Sequence, residues 1–149
     1  MSNYATLVDL LIQNEMRGIQ NHERILELGD TPDLLVAECG FPQLPFAIKA
    51  STLSKICFDH GIATSVIKRI PDIVASPKCL FKSANPNFVD SVVVLTFELK
   101  NGDPIVVSVR QNMQAGRKFY NFVTSMYQKE GQNPEEKWKA SNLLIWEAP

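Results

Sequence analysis

Residues 91–110 constrain the fold more than any other part of the chain. The run SVVVLTFEL over 91–99 is dense in β-branched and aromatic side chains, which suit a pleated, half-buried surface. Asn101-Gly102 follows, the strongest short signal for a two-residue hairpin turn. The apolar run PIVVSVR over 104–110 then returns. An antiparallel hairpin is predicted here, and a hairpin this apolar needs further strands or helices to cover it.

Helical patterning precedes it. Residues 6–28 carry Leu7, Leu10, Leu11, Ile19 and Leu26 mostly at helical spacing, which predicts one long amphipathic helix weakened at Gly18 and stopped by Gly29. Asp30-Thr31-Pro32 reads as the start of a second, short helix that Gly40 ends. Two prolines make residues 41–45 extended, and 46–48 reads as a short edge strand. Ser51 looks like the cap of a helix running to a stop at Gly61. Thr64 caps another over 65–70 that Pro71 stops.

Past residue 78 the period changes. Residues 79–83 form a short strand, 111–117 a polar turn region, 134–140 a polar helical turn and 143–146 a closing strand. Residues 119–127 fit a strand or a helix. Helices first, then a mainly antiparallel sheet with a helical interruption, is the α+β pattern. A length of 149 residues suits a single domain, with 1–40 as a helical N-terminal part and 41–149 as the sheet core.

Charge is uneven although the net is only −1. Residues 1–48 hold seven acids against two bases, and residues 49–82 hold six bases against two acids. The basic middle suits a polyanion such as RNA, and an acidic first helix suits docking to a basic protein surface. No apolar run is long enough to span a bilayer, so no membrane partner is expected. The start of the chain lacks a secretory pattern, so the expected location is the cytosol, a host's if the gene is phage-borne. Cys39, Cys57 and Cys79 are odd in number and set in apolar stretches, so they read as small core residues rather than a disulfide frame or zinc site. No cofactor or metal is expected.

No Gly-rich phosphate loop and no nucleophile elbow is present. The candidates are scattered polar residues. His60 follows Asp59 at a predicted helix end, where it can move protons in RNA transesterification or simply cap helix carbonyls. His22 reads as a surface residue. Arg110 shares a strand face with Ser108 and offers either a bidentate phosphate ligand or an exposed strand-end charge. Ser125 and Tyr127 share a face only if their segment is a strand. Trp138 and Trp146 stack on bases or pack in the core.

Several of these runs together are similar to a known family. Leu53-Ser-Lys55 with Asp59-His60-Gly61, Ile70-Pro71 with Ser76-Pro77, the apolar hairpin, and Thr124-Ser125-Met-Tyr127-Gln-Lys129 resemble the phage-associated nuclease-like domains of the barnase–EndoU–colicin–RelE class. Such domains end phage head-morphogenesis and polyvalent proteins, and the resemblance spans about residues 25–147. It implies N-terminal helices packed on a sheet with a site on the open sheet face. It also implies metal-independent RNA cleavage, with Lys55 and His60 from the helical element and Ser125 and Tyr127 from the strand. Arg110 is added from strand geometry alone. On the same fold, a protein without catalysis could bind a toxin, inhibit a host defence or serve in the virion.

Overall fold

The computed structural model describes residues 3–131 and 134–149. A seven-stranded mixed sheet organises them, in the order β1-β2-β6-β5-β4-β3-β7. The strands are β1 (Ile25–Asp30), β2 (Pro45–Lys49), β3 (Cys79–Lys82), β4 (Ser91–Lys100), β5 (Asp103–Ala115), β6 (Lys118–Gln128) and β7 (Leu144–Glu147). Every pairing is antiparallel except β2 with β6. The helices are α1 (Tyr4–Met16), α2 (Asp33–Cys39), α3 (Ala50–Ser54), α4 (Thr64–Ile67), α5 (Ile70–Ala75) and α6 (Pro134–Ala140); α3 runs on into a π-helical turn, Lys55–Asp59. The fold is α+β, as expected. No described helix is long and apolar enough to cross a membrane.

The central hairpin forms as expected. Asn101 (φ 53°) and Gly102 (φ 83°) both take the left-handed backbone that a tight turn between twisted strands requires. β5 runs further than its apolar stretch suggests. Residues 111–115 stay in the ladder opposite β6, past an irregularity at Asn112 (φ 56°), and the turn falls at Gly116-Arg117. Residues 119–127 are strand, which places Ser125 and Tyr127 on one face.

The N-terminal forty residues differ most from the helical expectation. α1 stops at Met16, and Gly18 at φ 79° turns the chain out of the helix. Leu26 and Leu28 are then buried alternately, with Glu27 exposed between them, because this segment is an edge strand paired with β2. Gly29 sits at the bulge of that strand and stops no helix. The strand at 45–49 is consequently interior, flanked by β1 and β6. α2 ends at Gly40 in the left-handed conformation as read, while Pro32 occupies the cap position, so the helix starts one residue later than expected. Pro71 opens α5 instead of closing a helix, since a proline in the first turn has no N–H to lose there.

The main core lies between the helices and one sheet face, around Leu26, Ile48, Leu53, Ile67, Ile70, Val94, Val107 and Val123. Tyr4, buried on α1, donates to the Ile67 carbonyl at 2.7 Å and ties that helix down. A smaller cluster of Cys79, Phe81, Leu95 and Val106 is covered by Trp138, whose ring meets Phe81 edge-on at 5.2 Å. Trp146 packs against the main core. Both tryptophans therefore take the packing role left open above. Cys79 is buried, while Cys39 and Cys57 are half-buried against the core. Burial, with Glu38 adding to it, pushes the Cys39 thiol up to about 11.

Candidate functional site

The site arises where two parallel strands part. β2 pairs with β6 only from Phe46 to Ile48, opposite Asn121 to Val123. β6 continues to Gln128, while the chain leaving β2 turns at once into α3. Residues 124–128 thus have β5 on one side and no described strand on the other, and the helical segment 50–59 stands beside that open edge. A groove of about 450 Å³ runs between them, lined among others by His22, Lys55, Asp59, His60, Thr124 and Ser125.

The π-helical turn decides which side chains face the groove. The His60 N–H donates to the Lys55 carbonyl five residues back, at 3.0 Å. The widened turn buries Ile56 in the core and leaves Lys55, Asp59 and His60 exposed on the groove side. Gly61 ends the turn at φ 62°. Lys100, at the end of β4, donates its Nζ to the His60 carbonyl at 3.0 Å, a cation at the negative end of a helical turn. The capping role considered for His60 is thus filled by Lys100. The imidazole instead lies 6.0 Å from the Tyr127 ring, tilted by 46°. Burial raises the Tyr127 phenol above its ordinary range. At neutral pH it stays protonated and can donate a hydrogen bond but cannot serve as a base.

Of the five residues singled out in the sequence, Lys55, His60 and Ser125 line this one groove, and Tyr127 backs His60. Arg110 stands apart. Its Nε donates to both carboxylate oxygens of Asp90 at 3.1 Å. It lines an adjoining groove of about 320 Å³ with Phe88, Ser91 and Ser108. The two grooves meet at Thr124 and Ser125. Thr124 is the residue by which β6 slips against β5, and its hydroxyl donates to the Ser108 carbonyl at 3.3 Å.

His22 is a groove residue that the pattern missed. A helix over 6–28 would carry it mid-helix on a solvated face. With the helix ended near Gly18, it falls in the loop before β1, and Gly18 was the available signal. Two of the acids of the predicted first helix, Asp9 and Glu15, have partners inside the fold. Asp9 meets Lys68 at 2.8 Å, and Glu15 meets His22 and Ser54.

Elsewhere, Cys79, Glu135 and Glu147 bring metal-capable atoms within 4.8 Å of one another. Lysines already neutralise these carboxylates: Lys139 lies 3.0 Å from Glu135 and 2.7 Å from Glu147, and Lys78 lies 3.0 Å from Glu135. Burial raises the Cys79 thiol, which disfavours the thiolate that a metal would need.

Compared with known proteins, residues 55–148 match the family model of the phage MuF C-terminal domain. No curated protein and no solved structure gives a significant match.

Proposed function

Because the chain belongs to the phage MuF C-terminal domain family, we propose that it serves the phage as a virion or head-morphogenesis accessory protein. The family match carries this reading. It spans the π-helical turn, the hairpin, β6 and the closing strand, and so takes in most of the groove. The test is to purify particles of the phage that encodes the chain, strip their surface with protease, and search for its peptides by mass spectrometry. Peptides retained with the particle support the reading. Their absence from particles, while the protein is abundant in the lysate, sinks it.

One observation favours a second, compatible reading, metal-independent RNA cleavage. Lys55, Asp59 and His60 face Ser125 across a single groove, with Tyr127 behind His60. In that chemistry one group takes the proton from a ribose 2′-hydroxyl and the freed oxygen attacks phosphorus. The bond to the 5′-oxygen breaks, and a second group returns a proton to that oxygen. The products carry a 2′,3′-cyclic phosphate and a 5′-hydroxyl. His60 supplies one of the two transfers. Lys55 offsets charge on the phosphorane, and the Ser125 hydroxyl donates a hydrogen bond to one of its oxygens, while Tyr127 supports the His60 ring from behind. Arg110, held by Asp90, contributes to binding along the adjoining groove rather than to the reacting phosphate. RNA incubated with the purified protein in EDTA, beside His60→Ala and Tyr127→Phe, tests it. Cyclic phosphate ends that disappear with His60→Ala support cleavage. Intact RNA from a folded protein leaves only the accessory role.

A further inference from the structure

The groove is not made by the family-matched residues alone. His22, Ser51, Thr52 and Ser54 also line it, and all precede residue 55. His22 is the informative one, because two helices, α1 and α3, hold it. Its backbone carbonyl accepts from the Ser51 N–H at 3.2 Å, and the Arg24 carbonyl accepts from the Ala50 N–H at 2.8 Å, which pins the loop to the start of α3. Its ring Nε2 lies 3.4 Å from both carboxylate oxygens of Glu15 on α1. The same carboxylate accepts from the Ser54 hydroxyl at 3.1 Å. A half-buried imidazole anchored at its backbone and at one ring nitrogen is oriented, which a histidine on a solvated helix face would not be.

We propose that His22 and His60 face a common phosphate-binding subsite, where His22 is the proton acceptor and Glu15 its positioning residue. The inference rests on the RNA-cleavage reading above and deepens it. Cleavage without a metal needs two proton transfers on different oxygens of one phosphodiester, and the groove holds two imidazoles. The Glu15 carboxylate keeps the His22 proton on Nε2, because an ionised carboxylate only accepts. Nδ1 is left with its lone pair to take the 2′-hydroxyl proton. As the O2′–P bond forms and the P–O5′ bond breaks, protonated His60 gives its proton to O5′. His22 ends protonated and His60 neutral, and exchange with water restores both. The other titratable side chains facing the groove are Lys55 and Asp59, with Glu15 and Tyr127 behind the two rings and Lys100 at the His60 carbonyl.

Two measurements on the full chain test this. First, the imidazole nitrogens are followed by NMR in EDTA as inorganic phosphate is added. Both rings should respond with one midpoint, and His22→Gln should weaken phosphate binding at His60. A His60 response with His22 unmoved, or no response from either, overturns the shared subsite whatever happens to RNA. Second, RNA cleavage is measured across pH. His22→Gln should lower kcat by about a hundredfold or more and abolish the fall in rate on the acid side, while His60→Gln abolishes the fall on the alkaline side. Glu15→Gln should lower kcat about tenfold with KM unchanged. Wild-type cleavage rates in His22→Gln overturn the acceptor role while leaving RNA cleavage standing. Intact RNA from wild-type protein whose two rings both bind phosphate overturns the cleavage reading and upholds the shared subsite.

Discussion

Two polar regions sit at opposite ends of the short contact between β2 and β6, and they are built on opposite terms. At one end Asn121 is fully buried and every hydrogen-bonding group of its amide is engaged. Its Nδ2 donates to the Thr31 hydroxyl at 2.8 Å and to the Pro42 carbonyl at 2.9 Å, while its Oδ1 accepts from the Asn112 N–H at 3.0 Å. Thr31 in turn donates to the Leu44 carbonyl at 2.6 Å. This knot fastens the loop before β2 and the irregular part of β5 to β6. At the other end Lys55, Asp59 and Ser125 make no side-chain hydrogen bond or ion pair among the described residues, although they share a groove. A polar cluster that closes on itself serves the fold, and one whose side chains face solvent at an opening is available to a ligand.

The largest test of that contrast is Asn121→Leu, which leaves three groups without their partner. It should cost about 3 kcal/mol in a denaturant titration. A loss below about 1 kcal/mol would break the comparison. Gly61→Ala comes next. Its Cβ would lie 2.8 Å from Lys100 Nζ, and the left-handed backbone penalises any side chain. About 1 to 2 kcal/mol should be lost, with the His60 resonances moving as the lysine cap shifts. A third test lies at α6. Hydrogen bonds from Lys78 and Lys139 hold the Glu135 carboxyl below the usual carboxylate range. A carboxyl made more acidic by folding adds stability above its unfolded value, near 4.3, and that stability is lost as pH falls through its lower folded value. Glu135→Gln should remove this part of the acid-side slope and cost about 0.5 kcal/mol at neutral pH. Smallest of all, Lys55→Ala and Ser125→Ala should each change stability by under about 0.5 kcal/mol, while weakening phosphate binding several-fold. A marked loss of stability from either would give the groove an internal structural role and blur the contrast.

Legibility followed how local each signal was. The Asn101-Gly102 hairpin needs only neighbouring residues, and it formed as read. β1 was lost inside a predicted helix because two buried leucines, Leu26 and Leu28, are too short a run for alternation to outweigh the helical spacing before them. The parallel pairing of β2 with β6 joins residues about 75 positions apart, and no local pattern encodes such a register. Lys55, His60, Ser125 and Tyr127 could be named because they stand in compact runs. Their nearness in space depends on that unreadable pairing. His22 was invisible for the same reason as β1, and Asp90 gave no local sign that it would claim Arg110.

The π-helical turn makes the groove sensitive to chain length as well as to residue type. Five residues there do what an α-helix does with four, so the segment behaves as a tolerated one-residue insertion. Removing one residue would let an ordinary helix re-form. It would also rotate everything downstream by about 100°, carrying His60 off Tyr127 and out of the groove with each of the named side chains still in the sequence. A single in-frame codon deletion would therefore silence the site without replacing any of the side chains that line it.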